Sequence, residues 1–418
     1  MNGFNFSLLV GFAIAAQLAV SLWLLARHLR HVAAHRSAVP KEFAPQVTLE
    51  SHQKAADYVQ AKGGLGRMEM IVELLPTLWF IFLGGLAWLW TQTEIVSSDA
   101  IAREVALVVF TSVIGSILSL PFDWKRTFGI EAKFGFNKTT PALWWSDLAK
   151  QTLMGALIML PFAAFIFWLM RAMGDQWWLY AWAAFMVLQL TMLAVYPRFI
   201  APLFNKFTPL SEGEAKSAIE GLLQRTGFAS GGLFVMDGSK RSAHGNAYFT
   251  GFGKTKRIVF YDTLLEKLSV PQIVAVLAHE LGHFKRKHLV KRLIVFGAAS
   301  LGFLALAAWM MKQAWFSAAF NIPAAQFSQF PGLALIAFSL VFGPLFFWLT
   351  PLGALYSRKH EFEADAFAVA NSAKGDLAAA LAALYRDNAS TLTPDPLYSA
   401  YYDSHPPAPI RVGRLQAG

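Results

Sequence analysis

The residues with the clearest chemical meaning are His279, Glu280 and His283, in the run His279-Glu280-Leu281-Gly282-His283. On an α-helix, positions i and i+4 project from one face, so two imidazoles can hold one ion. Glu280 lies about 100° further round and can reach a water on that ion. Imidazole pairs suit Zn²⁺, and a catalytic zinc site takes three protein ligands and keeps a fourth position for water. A third ligand is therefore required. The later run Glu361-Phe362-Glu363-Ala364-Asp365 offers one. Glu361 and Asp365 share a helix face, and Glu363 points away from it. One of these two carboxylates can complete the site while the other accepts the free ring N–H of a ligating histidine. Each run alone has a plainer account, a helix with two surface histidines and a solvated acidic turn. Their placement along the chain favours chemistry.

The first run needs a helix, and the sequence starts one. Ser269-Val270-Pro271-Gln272 places a Ser cap ahead of Pro and Gln, and the helix is predicted to run through residue 287. Before it, residues 212–226 have helical spacing, and 232–236, 246–252 and 257–262 read as short strands. The last two are joined by Gly253-Lys254-Thr255-Lys256 and read as a hairpin. Residues 357–383 are again helical in pattern. From Thr391 the chain is rich in Pro and Tyr and reads as irregular but packed.

The elements that carry these runs adjoin a membrane. Of the 418 residues, 56% are hydrophobic and 15% charged, against about 45–50% and 25% in soluble domains. Seven segments approach the roughly 20 apolar residues that a bilayer span needs: 4–26, 71–90, 105–120, 151–170, 177–196, 293–311 and 333–355. The first reads as a span rather than a cleaved leader, because its basic residues follow it. Alternate connections hold 33 of the 36 Lys and Arg, and the others hold three. The positive-inside rule then puts the N-terminus outside and the C-terminus, with the 279–283 and 361–365 runs, in the cytoplasm. Four regions result: residues 1–196 with five spans, 197–292 as the catalytic domain, 293–355 with two spans, and 356–418 with the third ligand and the tail. The net charge of +10 fits a lipid surface, and no basic, aromatic-interleaved module for nucleic acid is present. Cysteine is absent, which removes disulfides, thiolate ligands and a cysteine nucleophile. Oligomeric state is not legible in the sequence.

At this point the chain resembles the type I CaaX prenyl protease family of integral membrane zinc metalloproteases. The resemblance extends to Phe128-Gly129-Ile130-Glu131-Ala132-Lys133-Phe134-Gly135-Phe136-Asn137-Lys138, to Asn205-Lys206-Phe207-Thr208-Pro209-Leu210, and to the run from Gly238 to Phe249. Ser404-His405-Pro406-Pro407 with Arg411 is similar to the family's tail motif. The resemblance implies a mainly α membrane protein, with about seven helices around a water-filled chamber and a zincin-like α+β domain on the cytoplasmic side. It implies one Zn²⁺ per chain held by His279, His283 and Glu361, with Glu280 as general base and Asp365 as the acid behind a ligand. By the same likeness Asn246 holds substrate backbone, and His405 and Arg411 line the pocket. Two departures stand out: Ala408-Pro409-Ile410 replaces a Leu-rich stretch, and the chain ends at Gly418 soon after the motif.

The function expected is zinc-dependent hydrolysis of peptide bonds near the C-terminus of CaaX-type peptides, prenylated or not. Glu280 would take a proton from the attacking water and pass it to the leaving amine, with His405 or Arg411 near the oxyanion. Two alternatives stand beside it: a quality-control membrane metalloprotease that degrades misfolded proteins, and a seven-helix receptor or transporter. The latter should carry ionisable residues inside its spans, where only Glu73 is charged. His244, His288 and His360 read as structural, each lacking a partner at ligand spacing.

Overall fold

The computed structural model describes residues 1–250, 256–373 and 375–417. Six of its helices are long and apolar enough to cross a membrane, and a bent pair makes a seventh. The first five spans are α1 (Gly3–Ala34), α2 (Leu49–Phe82) continued by the short α3 (Gly85–Gln92), α4 (Ala100–Trp124), α5 (Pro141–Ala172) and α6 (Trp177–Val195). The second span is not straight: its helices meet at 77°. Gly84 sits there at φ +72, and a side chain on Gly85 would strike the Trp79 ring, so two glycines inside an apolar run mark a corner rather than a continuous helix.

The sheet-bearing segment follows. Its strands are β1 (Phe207–Pro209), β2 (Leu233–Met236), β3 (Ala247–Thr250) and β4 (Arg257–Tyr261), with α7 (Glu214–Arg225) after β1. They form one sheet in the order β1-β2-β4-β3, in which only β2 and β4 run parallel. β3 and β4 pair antiparallel as the hairpin reading requires; the connection at 251–255 lies outside the described residues. α8 (Asp262–Lys267) leads to α9 (Val270–Lys285), where Ser269 and Gln272 form the expected capping box. The chain returns to the membrane as α10 (His288–Met311), turns through α11 (Ala314–Ala318) and α12 (Ala324–Gln329), and comes back as α13 (Pro331–Phe346) and α14 (Thr350–Asn371).

The sequence reading needs two corrections. The helical pattern over 357–383 is two helices, α14 and α15 (Asp376–Asp387), separated at Gly375 with φ +91. The tail is not irregular: it contains α16 (Pro396–Tyr402) and α17 (Ala408–Ala417). Pro396 and Pro409 stand in the first turns of these helices, where a missing N–H costs nothing, and Asp395 caps α16 through the N–H groups of Leu397 and Tyr398.

The two largest of three hydrophobic clusters lie in different parts of the molecule, and a smaller one surrounds Tyr58, Phe134 and Phe136. Of the two, one gathers Phe6, Phe80, Trp90, Leu107, Phe316 and Phe338 where the spans meet α11 and α12. The other joins the sheet, α7, α9, α15 and α17 around Phe43, Ile219, Phe260, Leu277 and Val412. The spans bury one another little. In the six unbent spans no more than 33% of the most apolar window is buried, and Val113, Ile117, Leu153, Leu157, Val187 and Leu190 stay exposed. Apolar side chains left exposed along the spans are what a lipid-facing surface presents.

Glu104, with none of its surface exposed, anchors the first of these clusters. Its Oε1 accepts from the Gly332 N–H at 2.7 Å, and Oε2 meets Arg171 Nη1 at 2.7 Å. Arg171→Met would strand a fully buried carboxylate and is expected to cost about 3–5 kcal/mol. Glu104→Gln should cost less, because Arg171 is partly solvated and the amide oxygen still accepts from Gly332. Thermal denaturation of the detergent-solubilised variants should rank Arg171→Met below Glu104→Gln, and the opposite order would contradict this account.

Candidate metal centre

α9 presents His279 and His283 on one face, and α9 packs most extensively against α14, which carries Glu361. The close approach depends on Gly282. A Cβ there would lie 2.8 Å from the Ala364 Cα, so the two backbones touch where the ligand-bearing turns cross.

His279, His283 and Glu361 each offer a donor atom within 4.8 Å of the other two. His279 Nε2 and His283 Nε2 are 3.2 Å apart, Glu361 Oε2 is 3.5 Å from His279 Nε2, and Glu361 Oε1 is 3.3 Å from His283 Nε2. A tetrahedral zinc with bonds near 2.05 Å has ligand-to-ligand edges of about 3.3 Å. The two imidazole donors thus stand near the edge length of such a tetrahedron, and Glu361 turns one oxygen to each of them at a similar distance. Glu361 Oε2 is buried without a hydrogen-bond partner, an orphaned acceptor that a cation would satisfy. The donor set fits zinc.

The outer nitrogen of each imidazole is also held. His279 Nδ1 lies 2.8 Å from Asp365 Oδ1, and Arg411 binds both Asp365 oxygens, Nε at 2.7 Å and Nη2 at 2.6 Å. Arg411 is buried; its Nη1 stands 3.7 Å from Glu361 Oε2 and its Nη2 lies 3.0 Å from His279 Nδ1. It faces the carboxylates behind the donor cluster. His405 is different: its side chain is 63% exposed, with Nε2 3.5 Å from Glu361 Oε2, so it borders the cluster on the open side. Glu280 is half-buried beside the cluster. Burial pushes its carboxyl above the ordinary carboxylate range, and the nearby His279 and His283 draw it back.

Asn246 is exposed at the entry to β3, the edge strand of the sheet, and its side-chain oxygen accepts from the Ala247 N–H at 2.8 Å. The run before it docks onto the segment around Phe136. His244 stacks on Phe136 and meets Glu131 Oε2 at 3.4 Å, and Asn137 bridges to Ser242. Arg241 binds Asp147 with two hydrogen bonds of 2.7 and 2.9 Å and Asn205 with a third of 3.1 Å. Motifs far apart in sequence thus meet where the sheet-bearing segment sits on the spans. Sequence reasoning missed His288: its Nδ1 lies 2.9 Å from His283 Nδ1, and its Nε2 lies 3.0 Å from Glu363.

Comparison with known proteins decides the family. Residues 209–418 match the model of Peptidase family M48, and residues 28–206 match that of the CAAX prenyl protease N-terminal, five membrane helices. The chain belongs to peptidase family M48. The chain is 36% identical to CAAX prenyl protease 1 homolog of Arabidopsis thaliana, covering 91% of this chain and 90% of the relative. It is 32% identical to CAAX prenyl protease 1 of Saccharomyces cerevisiae, covering 97% and 94%. The crystal structure of S. mikatae Ste24p superposes with a TM-score of 0.91 at 31% identity over 98% of both chains. The protein is therefore a membrane metallopeptidase of the M48 type, as the sequence motifs led us to expect, and the receptor or transporter alternative falls.

Proposed function

We propose that this M48 peptidase holds one Zn²⁺ through His279 Nε2, His283 Nε2 and Glu361, and cuts CaaX-type polypeptides near their C-terminus. The observation that carries the metal assignment is the 3.2 Å between the two Nε2 donors, near a zinc tetrahedron's edge of about 3.3 Å, with a Glu361 oxygen facing each of them. When bound, zinc supplies Lewis-acid polarisation of the scissile carbonyl and acidifies a water. Glu280, beside the cluster, takes the proton from the attacking water and delivers it to the leaving amine. Asp365, fixed by Arg411, accepts the Nδ1 proton of His279 and leaves Nε2 free as a donor. His405, on the open side, is placed to meet the oxyanion, and Asn246 at the sheet edge to hold an extended substrate. Arg411 acts through Asp365 and Glu361 rather than by direct contact.

The substrate class rests on the names of the relatives. Peptides ending in a CaaX sequence, prenylated and not, should each lose a single C-terminal fragment by mass spectrometry. Extensive digestion of an unfolded protein with no C-terminal product would favour the quality-control reading.

We also place the catalytic domain in the cytoplasm, on the distribution of 33 basic residues against three. The native chain has no cysteine, so single cysteines report topology without background. An impermeant thiol reagent on intact cells should label Ser98→Cys and spare Gln224→Cys, which is exposed on α7. Labelling of Gln224→Cys from outside would reverse the orientation.

A further inference from the structure

The three histidines that the sequence reading set aside do not share one fate. His244 belongs to the docking contact described above. His288 and His360 stand against the metal cluster, and His288 touches it. His288 is the first residue of α10, separated from α9 by Arg286 and by Lys287, whose φ of 56 is left-handed. On an unbroken helix, residues five apart point about 140° away from one another. The left-handed turn at Lys287 ends α9 and brings the His288 ring back onto His283, so that the two Nδ1 atoms lie 2.9 Å apart. His288 is itself held on two sides. Its Nε2 is 3.0 Å from Glu363 Oε2, which Lys291 Nζ also approaches at 3.7 Å, and its ring stacks on His360 at 4.0 Å and 11°. His288 is 1% exposed, so water does not compete for these bonds.

We propose that His288, anchored by Glu363, is a positioning residue that fixes the ring and tautomer of the metal-binding His283. The inference rests on the zinc site proposed above. With His283 Nε2 turned to the metal, its Nδ1 must carry the proton. His288 Nδ1 must then accept, which leaves the His288 proton on Nε2, pointing at the Glu363 carboxylate. In this assignment every nitrogen in the row has one role. The centre is thereby asymmetric. His279 leans on a carboxylate that is itself salt-bridged, whereas His283 leans on a neutral imidazole with its carboxylate one step further off. A partner behind a metal-ligating histidine typically contributes 10–100-fold in metal affinity. Glu363, which helix geometry alone turns away from the site, reaches it through His288.

The test is zinc affinity of the purified full-length protein, measured by competition with a chromophoric chelator, with the visible spectrum of the Co²⁺-substituted form as a second readout. His288→Ala should bind zinc about 10–100-fold more weakly than wild type and shift the Co²⁺ bands. His288→Asn, whose Oδ1 can take the place of Nδ1 as acceptor, should lie closer to wild type than to His288→Ala. Glu363→Ala should weaken binding by less than His288→Ala; its side chain is 29% exposed, which makes it the safer variant for folding. Unchanged zinc affinity in a folded His288→Ala overturns the proposal. Equal losses for Ala and Asn also overturn it, since they would show that ring packing matters and the acceptor does not. Should His288→Ala fail to fold, a Glu363→Ala protein with wild-type affinity is enough to overturn it. A wild-type protein without stoichiometric zinc would instead sink the metal assignment itself, and the relay with it.

Discussion

Glu280→Gln is expected to lower peptide hydrolysis by at least about 10²–10⁴-fold, the range that a positioned general base contributes, while zinc stays bound at one per chain. The amide keeps the size of the carboxylate but cannot take a proton. The three donors assigned to the metal are untouched, and Glu280 has no hydrogen bond to any of them among the described residues, so the site should stay assembled. Metal analysis and a peptide assay on the same preparation check this. Full zinc with near-wild-type turnover would remove Glu280 from the base role. Loss of zinc would instead make it part of the metal site.

Glu361→Ala should lose both zinc and activity. It removes one of three donors, and the cavity it leaves is flanked by Arg411, whose Nη1 is 3.7 Å from the missing carboxylate. The guanidinium would then be balanced by Asp365 alone, which makes the site less favourable to a cation. The loss of affinity should exceed the 10–100-fold typical of a partner behind a ligand, which sets it apart from Glu363→Ala. Zinc content after exhaustive dialysis separates the two. A Glu361→Ala protein that retains stoichiometric zinc would transfer the third-ligand role elsewhere, with Asp365 the nearest candidate.

These expectations were unequally visible in the sequence. The pairs His279/His283 and Glu361/Asp365 are local on single helices, so a four-residue spacing was enough to place each pair on one face. The apolar runs gave seven crossings because hydrocarbon demands length and composition that few other settings produce. His288 escaped notice because its meeting with His283 depends on one left-handed residue, Lys287, and no spacing rule anticipates a lysine there. The corner at Gly84 was hidden inside a run whose hydropathy was unbroken. The tail differs for the opposite reason: its richness in Pro and Tyr reads as irregular chain, whereas Pro396 and Pro409 sit in first turns and help start α16 and α17. Arg411 points inward because α17 is a helix, so the tail's irregular reading also concealed what that guanidinium faces.

The two separate cores bear on how this molecule comes apart. A ligand stabilises only the cooperative unit that binds it, by RT ln(1 + [L]/Kd). The donors for the metal lie on α9 and α14, and α9 belongs to the core around Phe260 and Leu277, whereas Glu104 and Phe316 belong to the other. Chelation should thus soften one foldon and leave its neighbour nearly as firm. A calorimetric trace should then show metal raising the transition of the unit that binds it and leaving the other nearly unmoved.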